Sequence, residues 1–256
     1  MMKAVFLDID GTVLSHRQGK VPESTKNAIY EMKARGMKVF AATGRHILEM
    51  EKLPLDGLCF DGYVTLNGQL CLDEKKSLVY DFPIGEADTK ELISLFEKKE
   101  VPTMIVEADS MYINYVDESV RLAQNAISTE VPEIGTYTGK NVYQVIVYDE
   151  EKHVQKWMSP LRECKENIWH PEAFDIIPKQ GGKVAGIQKM IERLGIRREE
   201  IMAFGDGGND VDMLRYAEIG IAMGNAGEHV KKHADYVTAC VDDDGILKAL
   251  KLYGIL

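Results

Sequence analysis

The chain has 256 residues, 45% of them hydrophobic and 28% charged, enough for one large α/β domain or two unequal ones with separate cores. Its net charge of -10 argues against nucleic acid or an anionic membrane as a partner, and an anionic substrate would need local cations to hold it. Cys59, Cys71, Cys164 and Cys240 form no Cys-x-x-Cys pair, and no apolar run reaches the length of a signal peptide or a membrane span, so the expectation is a soluble cytoplasmic protein with reduced thiols.

Ala4 to Leu7 reads as a buried parallel strand that breaks at Asp8-Ile9-Asp10-Gly11-Thr12. Side chains two apart on an extended chain share a face, so Asp8 and Asp10 can look into one cavity. Two explanations stand side by side: the acids hold a cation or move a proton, or Asp10 caps a turn whose positive φ Gly11 supplies. Helical spacing over 26–35 stops at Gly36, and a strand over 37–42 ends at Thr43-Gly44-Arg45. This strand, helix, strand unit makes the two strands parallel, with both exits on one edge. A short helix around 47–53 and a strand over 62–66 ending at Asn67-Gly68 follow.

From about Pro83 the pattern changes to a helix over 87–100, strands over 103–107 and 111–116 turning at Asp109-Ser110, a helix over 118–128, a strand over 142–148 and a helix over 151–164. Hairpin and helix mixed in this way suggest an inserted α+β domain over 83–178, closed by linker composition at 178–182. The first pattern then resumes: helix 183–194 closed by Gly195, strand 201–205 exiting at Asp206, helix 211–216, strand 219–223, helix 228–233, strand 236–238 and helix 245–253. Asp242-Asp243-Asp244 reads as the N-cap and acidic first turn of that last helix.

Asp8 with Asp10, Thr43-Gly44, Lys183, and Gly205-Asp206-Gly207-Gly208-Asn209-Asp210 all fall at strand exits or helix starts, where open parallel sheets bind ligands. Together they outline a metal and phosphate site. Singly they are weaker: Thr43 also suits an N-cap, 206–210 a glycine-rich turn, and Arg45 either adds charge or is a solvated first-turn residue. Lys183 opposes the dipole of its helix, which calls for a nearby anion. His229 and His233, four apart with no third ligand, fit a solvated helix face.

These four motifs, in this order, resemble those of the haloacid dehalogenase (HAD) superfamily phosphatases of the Cof type, and the resemblance covers the whole chain. It implies a Rossmann-like core with a parallel sheet (residues 1–82 and 179–256) carrying an inserted α/β cap (83–178) for substrate specificity. It implies Mg²⁺-dependent hydrolysis of phosphomonoesters through an aspartyl-phosphate, on small phosphorylated metabolites, hexose phosphates first. In that scheme Asp8 is the nucleophile, and the Asp8 side chain, the Asp10 backbone carbonyl and the Asp206 side chain hold Mg²⁺. Asp10 is the general acid and base, a role asking for a raised pKa during part of the cycle. Thr43, the Gly44 amide, Lys183 and Asn209 serve the phosphate, and Asp210 supports the site. Asn67-Gly68 resembles the family's strand-end pair near the substrate, with Gln69 in place of a small residue. A phosphomutase or phosphotransferase using the same intermediate is the alternative; a non-catalytic phosphoaspartate switch is disfavoured by the second acid at Asp10 and by the insertion. Tyr112, Tyr115, Arg121, Trp169 and His170 are cap side chains that suit a sugar, or equally surface or core. The sequence carries no signal for oligomeric state, and a monomer is compatible with it.

Overall fold

A computed structural model describes residues 2–127 and 129–256. The chain divides into two compact units, one made of the residues up to Asp81 together with Gly182–Leu256, the other of Phe82–Gly181. In chain order the first segment runs β1 (Ala4–Leu7), α1 (Glu23–Ala34), β2 (Lys38–Ala42), α2 (Ile47–Met50), β3 (Gly62–Thr65), β4 (Leu70–Asp73) and β5 (Leu78–Asp81). The inserted segment runs α3 (Glu86–Lys98), β6 (Thr103–Val106), β7 (Met111–Ile113), α4 (Glu118–Ala126), β8 (Gln144–Val147), α5 (Val154–Met158), β9 (Cys164–His170) and β10 (Ala173–Pro178). The last segment runs α6 (Lys183–Leu194), β11 (Ile201–Gly205), α7 (Val211–Tyr216), β12 (Ile219–Ala222), α8 (Glu228–Lys231), β13 (Tyr236–Val237) and α9 (Gly245–Leu252).

The first unit is Rossmann-like, with eight strands ordered β13-β12-β11-β1-β2-β3-β4-β5. Every residue of β1 is apolar and fully buried, as expected of a strand covered on both faces. Leu7 lies opposite Phe204 of β11 on one side and Ala41 of β2 on the other, both pairings parallel. Phe6 stacks on Phe40 with centroids 4.7 Å apart, and Ile187, Met190 and Ile191 of α6 join the same core. Strand order reverses at β1, so the carboxyl ends of β1, β2 and β11 share one edge, where such sheets leave a ligand crevice. α6 has the expected range and ends at Gly195 with φ 63°, a left-handed cap that glycine adopts without strain.

The antiparallel hairpin β4–β5 was not anticipated. Each strand is only four residues long, too short for alternation to declare itself, and its turn is closed by the Asp73 carboxylate accepting from the Lys75 and Ser77 amides, both at 2.9 Å. The acidic run before α9 also differs from expectation. Asp244, at φ 61°, makes no side-chain cap, and Asp242 instead accepts from Ser15 (2.6 Å), Gln18 (2.7 Å) and Arg17 (2.8 Å), fastening the loop after β1.

The second unit holds five antiparallel strands ordered β7-β6-β8-β10-β9. Leu92 and Phe96 of α3 and Trp157 and Met158 of α5 share a core with Ile105, Val145, Val147, Phe174 and Ile176 of its sheet. The helix expected over 151–164 is corrected: a 3₁₀ turn at Glu151–His153 leads into α5, which ends at Met158, and Cys164 already opens β9. Pro160 has no N–H with which to extend the helix, while Asp149 anchors its start by accepting from Trp157 Nε1 at 2.7 Å. The helix expected over 118–128 stops at Ala126, and its final expected position lies outside the described residues. Tyr112 is buried, its hydroxyl donating to Glu107 at 2.7 Å, so it belongs to the core of this unit. Among the described residues no helix is long and apolar enough to cross a membrane.

Candidate active site

Asp8 is the first residue past β1, and its amide continues the ladder by donating to Phe204 O at 3.0 Å. Gly11 turns the chain at φ 80°, and a Cβ there would lie 2.2 Å from Asp206 Oδ2, so only glycine permits this approach of the two loops. Thr12 donates its hydroxyl to Asp206 Oδ1 at 2.8 Å. Past β11 the chain folds back so that Asp210 Oδ2 accepts the amides of Asp206 (3.0 Å) and Gly207 (2.9 Å). Lys183 opens α6 with its side chain fully buried, Nζ donating to Asp8 Oδ1 at 2.7 Å and Asp210 Oδ1 at 2.5 Å. Asp8, Asp206 and Asp210 thus bring carboxylate oxygens within 4.8 Å of one another.

Three acids around one ammonium leave a local excess of two negative charges. Burial drives the Asp8 pKa well above its ordinary value, with the Asp210 charge adding to it against the pull of Lys183. Burial also raises Asp206 to about 6, reinforced by Asp210 and opposed by the Thr12 hydrogen bond. Burial by itself would lower Lys183, yet Asp210 and Asp8 outweigh it and keep the ammonium charged. The sign for stability follows: an acid harder to ionise folded than unfolded penalises the folded state above its folded pKa. For Asp206 a rise from 3.8 to about 6 amounts to about 3 kcal/mol at most, absent in acid and complete above about pH 6. Asp206→Asn is therefore expected to raise the melting temperature of the metal-free protein at pH 7 by several degrees and to flatten its stability between pH 4 and 6, as followed by thermal melts across pH.

Asp10 behaves in the opposite way. Its carboxylate accepts a bidentate pair from Arg45, Nε at 2.6 Å and Nη2 at 2.8 Å, and His16 Nε2 lies 3.2 Å away. Burial would raise its pKa, but the His16 and Arg45 hydrogen bonds prevail and hold it near 2. In this pairing Asp10 is a carboxylate, the form that suits a base, and it must leave these partners to carry a proton as an acid. Arg45→Gln is expected to move the Asp10 pKa upward by more than one unit, read by carboxyl NMR titration; an unchanged value would show that the pair is incidental.

Thr43 is buried, and its hydroxyl accepts the Arg45 amide at 3.1 Å, while the cap of α2 is His46. Gly44 passes close to two amides: a Cβ there would sit 3.2 Å from Asn67 Oδ1 and 3.6 Å from Asn209 Nδ2. Asn209 donates to Asn67 Oδ1 at 3.0 Å, and Asn67 takes a left-handed φ of 54° that presents its side chain to this cluster. All the residues singled out from the sequence motifs therefore fall on one edge of the first unit's sheet. Sequence reading missed the partners rather than the principals: Arg45 and His16 on Asp10, and Thr12 and Asn225 on Asp206. Arg45 stood inside a quoted motif, but no spacing rule ties residue 45 to residue 10. His229 and His233 join no cluster of three metal-binding side chains among the described residues.

A parallel Rossmann-like sheet with an acidic cluster and a buried lysine at its carboxyl edge defines an α/β enzyme core. A model of the family described as haloacid dehalogenase-like hydrolases matches residues 5–250. Among curated relatives, YkrA of Bacillus subtilis (strain 168) is 33% identical over 99% of this chain and 98% of its own length. The 5-amino-6-(5-phospho-D-ribitylamino)uracil phosphatase YitU of the same organism is 29% identical over 97% and 96%. Among solved structures, BT1666 from Bacteroides thetaiotaomicron, described as one of the phosphatases of the haloalkanoate enzyme superfamily, is 32% identical with a TM-score of 0.91, covering 100% of this chain and 96% of its own. The sugar phosphatase BT4131, of HAD subclass IIB, is 36% identical with a TM-score of 0.86 and full coverage of both chains. The chain belongs to the haloacid dehalogenase-like hydrolase family and is a phosphatase of the Cof type.

Proposed function

We propose that this phosphatase hydrolyses phosphomonoesters of small metabolites, hexose phosphates first, through an aspartyl-phosphate on Asp8 and with Mg²⁺ as cofactor. The carrying observation is the set of three carboxylates, their oxygens within 4.8 Å of one another and two of them bonded to the Lys183 ammonium, which leaves two negative charges for a divalent cation to offset. The donor set suits Mg²⁺, a hard ion that takes oxygen ligands and one or two carboxylates with the remainder from water and substrate. The Asp8 side chain, the Asp10 backbone carbonyl and the Asp206 side chain would hold it. Asp210 lies in the same cluster but has both oxygens committed to Lys183 and to two backbone amides, so its part is support. When bound, the ion supplies charge neutralisation between carboxylate and phosphate.

The chain's own groups then divide the work. The Asp8 carboxylate attacks phosphorus as the bond to the leaving oxygen breaks, and that oxygen takes a proton from Asp10. Asp10, now a carboxylate, removes a proton from the water that cleaves the acyl phosphate, returning phosphate and free Asp8. Lys183 stays protonated throughout, fixing Asp8 and offsetting phosphate charge, with Thr43, the Gly44 amide and Asn209 as further donors to phosphate oxygens. The division into a catalytic core over 1–82 with 179–256 and a substrate-specificity domain over 83–178 is part of this proposal. The sugar and ribityl phosphates suggested by the relatives' names set the screen. Purified protein should release phosphate from p-nitrophenyl phosphate, hexose 6-phosphates and a ribitylamino phosphate only with Mg²⁺, ranked by kcat/KM; release that ignores Mg²⁺ removal by chelator would overturn the metal assignment.

A further inference from the structure

Asp206 is the acid of the cluster whose two oxygens are each held by a neutral donor from elsewhere in the chain. Thr12, from the loop after β1, donates to Oδ1 at 2.8 Å, and Asn225, from the loop after β12, donates to Oδ2 at 3.1 Å. The same Asn225 amide nitrogen donates to Gly11 O at 2.9 Å, and its Oδ1 accepts the Val241 amide at 2.9 Å. One side chain therefore ties the loop after β1, the acid after β11 and the segment before α9 together. An amide alone among small side chains offers two donors on one atom and an acceptor on the other.

We propose that Asn225, with Thr12, is a positioning residue for cation binding: the pair clamps the Asp206 carboxylate in a fixed plane and fixes Gly11 beside it. A carboxylate free to rotate must be ordered when the ion arrives, whereas one already clamped carries no such cost, and partners of this kind raise metal affinity without touching the metal. One hydrogen bond to each oxygen also leaves a lone pair on each for a ligand. This inference rests on the Mg²⁺ reading given above; Asn225 lies outside every sequence motif, and Thr12 gains a role that its place in the first motif did not give it.

Asn225→Asp tests it cleanly, because the aspartate keeps the acceptor for the Val241 amide but replaces the donor to Gly11 O and Asp206 with an oxygen. Thr12→Val tests the other arm, keeping shape and losing only the hydroxyl. Mg²⁺ binding to the substrate-free proteins is measured by calorimetric titration, beside metal-free melting temperature and the substrate KM at saturating Mg²⁺. The expected result is a Mg²⁺ affinity weakened about 10- to 100-fold in each variant, with KM little changed and most of kcat regained at high Mg²⁺. Folded variants that bind Mg²⁺ as the native protein does would overturn the role of Asn225 and Thr12. Native protein that takes up no Mg²⁺ would instead overturn the metal reading beneath it. A Thr12→Val protein with native affinity beside a weakened Asn225→Asp protein would also count against the clamp, since the loss would then follow the added charge.

Discussion

Asp8→Asn is expected to abolish phosphate release while leaving the protein folded and more stable than the native chain when metal is absent. The amide is nearly isosteric with the acid, so packing against Lys183 and the ladder bond to Phe204 survive. On the proposed mechanism the substitution removes the nucleophile, and with it the covalent intermediate; losses of this kind run to about 10⁴-fold or more in kcat. The stability gain has a separate cause. Burial and the neighbouring acids Asp210, Asp206 and Asp10 make a charged Asp8 costly, so neutralising it relieves the folded state of that cost at neutral pH. Quenched-flow labelling with a ³²P substrate should trap phosphoprotein in the native chain and none in the variant. Label retained by Asp8→Asn would place the nucleophile elsewhere.

Lys183→Ala has the largest expected effect on folding. Its ammonium is fully buried and is the cation bonded to both Asp8 and Asp210, so removal strands two carboxylates in a dry interior. Breaking a buried pair from one side typically costs about 3–5 kcal/mol, roughly 10 °C or more in melting temperature for a chain of this length. The deficit should shrink as pH falls, because protonating the stranded acids removes the charge that the lysine compensated. Adding Asp210→Asn to Lys183→Ala should recover part of it for the same reason. Urea unfolding of the three proteins at pH 5 and pH 8 measures both claims; a Lys183→Ala protein within 1 kcal/mol of native would show the cluster to be solvated.

Much of this architecture is present in local pattern. The range of α6, its glycine stop, the apolar β1 broken by Asp8, and β11 running into Asp206 all follow from periodicity of one or two turns and from residues with restricted backbone preferences. Parallel pairing of β1 with β2 follows as well, since a strand, helix, strand crossover within one sheet has essentially one handedness and puts both exits on one edge. The hairpin β4–β5, the early end of α5 and the strand β9 did not follow, because short strands and a mixed polar edge strand carry no period that distinguishes them from loop or helix.

For the site, the amino-acid sequence by itself determined which acids and which lysine could do chemistry: strand exits and helix starts are local features, and charge placed there is expensive unless it is used. Only the tertiary structure decided who restrains them. Arg45 reaches Asp10 across 35 positions, Thr12 reaches Asp206 across 194, and Asn225 reaches Gly11 across 214. Such contacts are set by sheet order and loop path, which depend on the packing of the whole unit rather than on any stretch of chain. The same global geometry gives Asp10 and Asp206 opposite acidities, about 2 against about 6, because the hydrogen bonds of an imidazole and a guanidinium outweigh burial at one, while the other is buried with the Asp210 charge beside it.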